Sequence, residues 1–476
     1  MIPATPCAER YCFIFMLTVT AITVLYWTVL ILHVPVFELF PGWPWTLNPK
    51  PIGSPAWLLL LVIVPATALA LVLVGNVSAP GALICLIVTG ITMQYGMFLL
   101  DGQGLRSMYE RMVSTGGQAF VDVAVQHSSI LDALRNYESV VAAQQVGQEY
   151  LATKPPGYLA IHMYFERLAR CAQPPGLSAT AEQWFWMFCS YTWPAISQLV
   201  LVPLYLLGVR VFDEARARLA CCFYVFIPPV DLITLHMDQT FFPLIFMVIA
   251  LVGFIAFSRG SFLLASVTGL ITYLAVYLSF GLGIVMVFLL GMGLFTEVSN
   301  ECPGRLSMIA KFLIGCLLGA IAMDFLFTTW LQYDLWLRFT KAIGAHHTIM
   351  GWAFSVRHYF YFPLLNFLEF SVLIGLAVSL LALWSLCNSV LRAWNGSRDL
   401  ASMMPIIVWC TLLILSLSGM TRGVVARLWL FFVPCVCLVA ADAVVSCFKS
   451  RYRWAAATVC VLQWGTVLLT KTALGL

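Results

Sequence analysis

Apolar stretches of about twenty residues recur from one end of the chain to the other, separated mostly by short polar breaks. A helix of about 20 apolar residues crosses the roughly 30 Å of a bilayer's hydrocarbon. The pattern therefore predicts an all-α polytopic membrane protein. About thirteen spans are expected, near 11–33, 56–75, 79–100, 184–209, 219–235, 238–257, 261–276, 279–296, 309–331, 361–387, 402–420, 425–446 and 454–472. The first run, Tyr11 to His33, follows a short segment with Arg10. It is too long for a signal-peptide core and no small-residue cleavage pattern follows, so a retained span is expected. The longest polar gap runs from Asp101 to about Gln183. Within it, 155–172 has the look of a span but carries Glu166, Arg167 and Arg170. Counting it would reverse every later loop, so an amphipathic helix lying on the outer membrane surface is expected instead.

Lys and Arg favour cytoplasmic loops. With the N-terminus cytoplasmic, the short loops on that side carry Arg210, Arg216 and Arg218, then Arg259, Arg305 and Lys311, Arg392 and Arg398, and Lys449, Arg451 and Arg453. The opposite side holds 101–183, 332–360 and the turn Thr421-Arg422-Gly423, and the C-terminus is extracytoplasmic. The membrane would be the plasma (inner) membrane in a bacterium and the ER in a eukaryote. The sequons at Asn76 and Asn395 fall on the cytoplasmic side and should stay unmodified.

Composition agrees. The 476 residues are 62% hydrophobic and 10% charged, against about 25% charged in soluble domains. The 15 cysteines lie mostly inside apolar runs, as Cys221, Cys222, Cys435 and Cys437 do, and no Cys-x-x-Cys pair occurs. They read as small packing residues, not a disulfide framework or zinc site. The net charge of +4 is spread over the loops, which argues for orientation and against nucleic acid. No Gly-rich phosphate loop and no two-halves transporter repeat stands out.

The candidate chemistry lies on the outer face. Asp101 directly follows an apolar run, at the membrane–water boundary. A general base acting between a lipid and a water-borne substrate needs that place, and a helix-end carboxylate would sit there too. Asp238, with His236 just before it, opens the sixth span; it can cap that helix, or join Asp101 to hold an acceptor hydroxyl or a divalent cation. Lys154-Pro155-Pro156-Gly157 is a stiff non-helical corner. It either displays Lys154 to a phosphate headgroup or starts a helix beside a snorkelling lysine. The 332–360 loop offers Lys341, His346, His347, Arg357 and His358 among aromatics, a composition that anchors a loop or grips a lipid headgroup. Arg422 and Arg427 form a second phosphate clamp or anchor a helix end. Glu369 and Asp324 are costly intramembrane groups that line a cavity or pair with a neighbouring helix.

In this order the residues resemble the GT-C superfamily of integral membrane glycosyltransferases, and within it the protein mannosyltransferase and aminoarabinose transferase branch. An acidic residue ends an early span and a tyrosine follows, here Asp101 and Tyr109. A Tyr-x-x-x-(Lys/His)-Pro-Pro-(Gly/Leu) element closes the first outer loop, here Tyr150 to Gly157, and an acidic residue opens a later span, here Asp238. The segment SGMTRGVVARLWLFFVP also resembles a family segment, with Val425 where an acid commonly precedes Ala-Arg. The match covers mainly residues 80–260 and 418–434. It implies two added N-terminal spans (1–78), a catalytic core (79–260) and C-terminal helices (261–476).

The resemblance implies transfer of a sugar from a polyprenyl-phosphate donor to a hydroxyl acceptor on the extracytoplasmic side, usually with inversion. The acceptor would be a lipid, a glycan or a protein. Asp101 would be the base and Asp238 would position the acceptor. Lys154, helped by Arg357, Arg422 and Arg427, would neutralise the lipid phosphate. Tyr109, Tyr150, Tyr158, His236, His346 and His347 would contact substrate. The resemblance fixes no cofactor; if one is used, it would be a divalent cation (Mg or Mn) with Asp101 and Asp238 as its ligands. The main rival is a transporter or flippase of lipid-linked saccharides. An O-antigen-type polymerase or ligase, and a receptor or structural subunit, stand further off.

Overall fold

The computed structural model describes residues 6–75, 77–104, 108, 117–143, 149–176, 178–233, 235–296, 304–350, 356–421 and 423–475; of these, the side chains of 6–9, 149, 349, 350 and 356–358 are not described. The described residues form helices and connecting turns, with no strand among them. Among the described residues, eight helical segments are long and apolar enough to cross a membrane: Arg10–Ile31, Ala79–Leu99, Ala181–Val211, Met237–Arg259, Arg305–Leu331, Leu376–Trp394, Leu400–Leu417 and Leu430–Leu474. Shorter apolar helices cover Trp57–Leu73, Phe262–Leu278, Phe280–Phe295 and Tyr359–Leu373. The last long segment holds two successive helices, Val433–Phe448 and Tyr452–Leu474, joined by a turn at Lys449–Arg451.

The chain divides into two compact units. The first comprises Met1–Gly104, Pro194–Met247 and Val356–Leu476. Its centre is the helix Val433–Phe448, buried without a break from Val433 to Val444. Cys435, Cys437, Ala440, Ala441 and Ala443 let neighbouring helices approach closely, and the described cysteines are free thiols, which is the packing role their apolar setting predicts. A carboxylate inside the bundle, Asp442, accepts from Arg216 Nε at 2.7 Å and Ser446 Oγ at 3.0 Å, and Arg392 lies 3.5 Å away. Pairing of this kind makes a buried charge tolerable.

Several expected spans are interrupted, among them 219–235 and 361–387. The run 219–235 becomes Glu214–Val225 and a short helix Pro228–Leu232, because Pro228 and Pro229 can start a helix but not continue one. The run 361–387 breaks at Gly375, whose φ is +96°. There Gln463 donates to the Ile374 carbonyl at 2.8 Å, and a Cβ on Gly375 would lie 2.0 Å from Gln463 Oε1. Leu376–Trp394 is long and apolar enough to cross a membrane; it starts beside Tyr26, Leu373 and Ala473 and reaches Asp442 through Ser385 and Arg392. Val356–Leu373 stays at the starting end, where Tyr359 donates to the Leu417 carbonyl, Tyr361 to the Pro41 carbonyl and Asn366 to the Thr421 carbonyl.

The second unit comprises Leu105–Trp193 and Val248–Ser355. Its helices Phe262–Leu278 and Arg305–Leu331 pack backbone to backbone: a Cβ on Gly269 would lie 1.9 Å from the Cys316 carbonyl oxygen, and one on Gly319 equally near that of Ser266. The far face of Arg305–Leu331 exposes Ile314, Leu317, Leu318, Ile321 and Phe325, a stripe suited to lipid. Asp324 on this helix accepts from Tyr273 Oη at 2.7 Å, so this costly group pairs with a neighbouring helix.

The amphipathic helix appears as Pro156–Cys171, with a correction to its surroundings. Protein, not lipid, covers its apolar face, where Tyr158 and His162 pack on Phe120. Glu166, the charge that argued against a span, is buried against Arg170 and Arg167.

Candidate functional site

Asp101 directly follows Leu100, the C-cap residue of the helix Ala79–Leu99, in the first unit. Its carboxylate meets Lys471, with Nζ 2.9 Å from Oδ1 and 3.0 Å from Oδ2. The lysine side chain is 7% exposed and the aspartate 25%. The segment between the first two spans shapes this corner. Gly53 and Ser54 donate to the Leu100 carbonyl at 2.8 and 3.1 Å, and Asn48 and Lys50 donate to Ala473 and Thr472 at 2.9 Å each. One stretch of chain therefore fixes both the turn that carries Asp101 and the end of the helix that carries Lys471. Gly53 is required there, because a Cβ would come within 2.4 Å of the Asp101 carbonyl oxygen.

Asp238 lies in the short helix Met237–Thr240, before the long helix Phe242–Arg259. His236 is its N-cap residue by backbone and makes no side-chain cap there. Asp238 faces Arg427, Nε to Oδ2 at 3.7 Å. Arg427 follows a left-handed turn, with Gly423 at φ +76° and Val424 at +57°. Two polar residues of Val356–Leu373 hold that turn: Asn366 accepts from Gly423 N at 3.1 Å, and Glu369 accepts from Ala426 N at 3.2 Å and from Trp45 Nε1 at 2.8 Å. Glu369 thus braces a neighbouring turn.

The Lys154 corner belongs to the second unit. Pro155 is extended, with φ −75° and ψ 162°, and Pro156 begins the next helix. Gly157 is present because a Cβ would fall 2.4 Å from the Tyr277 carbonyl oxygen. Tyr137 donates from Oη to the carbonyls of Leu151 and Lys154 at 3.0 and 3.1 Å. Arg338, 2% exposed, donates to the Ala152 carbonyl and to Glu138 Oε1, the latter at 3.1 Å. Its guanidinium also lies over the Tyr137 ring, 5.7 Å from the centroid. Lys154 Nζ sits 5.5 Å from the Tyr158 ring centre. Burial holds the His346 imidazole below its usual range, and the nearby charges of Lys154 and His347 push it the same way.

Tyr137→Phe and Arg338→Met each remove supports worth about 1–3 kcal/mol. Hydrogen exchange at the amides of 150–154 should quicken about tenfold or more in either variant. Unchanged exchange would mean that the prolines alone set the corner.

Of the expected site residues, Asp101, Asp238, Arg427 and His236 lie in the first unit, and Lys154, Tyr150, Tyr158, His346 and His347 in the second. Tyr150 is exposed on the turn that leads to Lys154. Tyr109 and Arg422 lie outside the described residues, and so does the side chain of Arg357. Arg427 faces a carboxylate of the chain itself. No three metal-ligating side chains come together among the described residues. A divalent ion at Asp101 or Asp238 would have to displace Lys471 or Arg427.

Sequence reasoning missed Lys471, Tyr137 and Arg338. Lys471 carried a signal, since an ionisable residue inside an apolar run is costly without a function or a partner. Tyr137 and Arg338 carried none.

No protein-family profile matches the chain, and neither does any curated protein. Among solved structures it is similar to the Archaeoglobus fulgidus oligosaccharyltransferase in complex with Zn and sulfate, with a TM-score of 0.46 and 13% identity over 81% of this chain and 52% of that one. The chain therefore spans about half the length of that enzyme, and an overlap this loose leaves the functional argument to the residues.

Proposed function

We propose that this protein is a membrane glycosyltransferase of the GT-C kind, nearest the mannosyltransferase and aminoarabinose transferase branch. Its donor is a sugar on a polyprenyl phosphate. The observation that carries the reading is the Lys154 corner: a cation on a braced, non-helical turn, in a chain whose apolar helices are built for the bilayer. Such a cation suits a lipid phosphate. In the reaction the bond between the sugar's anomeric carbon and the phosphate oxygen breaks, and a bond to the acceptor oxygen forms on the opposite face, with inversion. The acceptor proton passes to Asp101, and polyprenyl phosphate leaves.

A fixed cation lowers the barrier most where leaving-group charge develops, which is the role of Lys154. Tyr150, Tyr158 and His346 border that place. Asp238, oriented by Arg427, positions the acceptor. The Asp101 end of the first unit is extracytoplasmic, the basic loops are cytoplasmic, and the acceptor is a lipid, glycan or protein hydroxyl.

The test is direct. The purified protein in detergent, given a polyprenyl-phosphate-linked sugar and an acceptor-containing lipid extract, should release polyprenyl phosphate. A flippase would move the same lipid across a vesicle membrane and leave it uncleaved.

A further inference from the structure

At the other end of the first unit, a cavity of about 420 Å³ opens between Leu73, Val77, Glu214, Arg218, Tyr452 and Arg453. All of these residues belong to the first unit. The helix Ala79–Leu99 starts beside Val77 and ends at the Asp101 turn, and Tyr452–Leu474 starts at the cavity and carries Lys471 near its end. At 1.5 Å per residue each helix is roughly 30 Å long, so the cavity lies a membrane's thickness from Asp101.

Its lining favours an anion. Arg218 is fixed by Glu214 Oε1 at 2.5 Å and by the Val77 carbonyl at 3.0 Å. Arg453 has no carboxylate partner among the described residues; its guanidinium lies 5.9 Å from the Tyr452 ring centre. The first turns of two helices, Glu214–Val225 and Tyr452–Leu474, border the cavity, and the second has no side-chain cap. Helix starts add positive potential. Lys449 and Arg451 extend the positive charge. The depth is marked by Trp454, which is 80% exposed. Tryptophan beside basic residues is the side-chain signature of the headgroup layer.

We infer that this cavity binds the phosphate headgroup of an anionic glycerophospholipid, with Arg453 as the principal contact and Arg218 and Tyr452 as the walls. Basic pockets between helices on a cytoplasmic face recognise such headgroups. A lipid bound there would tie the end of the helix Trp57–Leu73 to the start of Tyr452–Leu474. The inference does not depend on sugar transfer.

The experiment uses the full-length protein, purified and delipidated in detergent. Its thermal midpoint is followed on adding phosphatidylglycerol, phosphatidylcholine with the same acyl chains, or inorganic phosphate, and retained lipid is counted by native mass spectrometry. Phosphatidylglycerol alone should raise the midpoint and remain bound at one copy. Arg453→Ala should weaken its apparent affinity about 5- to 10-fold, and Arg453→Lys should recover part of the loss. Arg453 is exposed, so its replacement leaves the fold intact. Equal stabilisation by phosphatidylcholine, or an undiminished response in Arg453→Ala, overturns the inference. Stabilisation by inorganic phosphate that also displaces the lipid overturns the lipid assignment in favour of a soluble anion.

Discussion

Replacement of Asp101 by asparagine is expected to lower sugar transfer about 100- to 10,000-fold, the usual cost of a lost general base. Asparagine keeps the size of aspartate and can donate a hydrogen bond, but it cannot take the acceptor's proton. The structure adds a complication. Asp101 is a carboxylate partner of Lys471, whose side chain is nearly buried, so Asp101→Asn also removes that counter-charge from the ammonium. Breaking one half of a buried pair costs about 3–5 kcal/mol, and the partial exposure of Asp101 puts this pair toward the lower end.

Loss of transfer by itself would then be ambiguous. The double variant Asp101→Asn/Lys471→Met removes both charges and should recover much of the thermal stability while transfer stays absent. A double variant that regains transfer would assign Asp101 to holding the fold, not to the chemistry. If Asp101→Asn alone keeps near-normal transfer, the base is elsewhere in the outer loop. Asp122 is the described alternative, and it accepts from Gln118 Nε2 at 2.8 Å; Glu110 lies outside the described residues.

Lys154→Ala is expected to raise the KM for the lipid donor, or to slow turnover, by about 10- to 150-fold. That range corresponds to a charge-assisted contact of roughly 1.5–3 kcal/mol. Lys154→Arg keeps the charge and should restore part of the loss. The corner itself should survive both changes, because Tyr137 and Arg338 hold main-chain carbonyls and not the lysine side chain. Hydrogen exchange of 150–154 should therefore be unchanged in Lys154→Ala, in contrast to Tyr137→Phe. Equal kinetics for Lys154→Ala and wild type across donor concentrations would reduce the corner to architecture.

The sequence by itself determined the class of fold and the order of most spans. Matching an apolar run to the bilayer is a local property, readable residue by residue. It also located the Lys154 corner, since prolines constrain their own backbone. The need for Gly157 was only half legible: turn chemistry marked the place, but the reason is the Tyr277 carbonyl of a distant helix.

Tertiary structure alone decided the partnerships. Asp101 and Lys471 are 370 residues apart, and Arg338 and Ala152 are 186 apart; no periodicity within a helix connects such pairs. The break at Gly375 was hidden for the same reason. An apolar run containing one glycine reads as continuous until Gln463 from the last helix takes the Ile374 carbonyl that would otherwise bond within the run. The sequence marks where a charge or a glycine departs from the apolar pattern, and long-range packing decides what satisfies it, because a buried polar group needs a partner and the chain supplies it from whichever helix lies alongside.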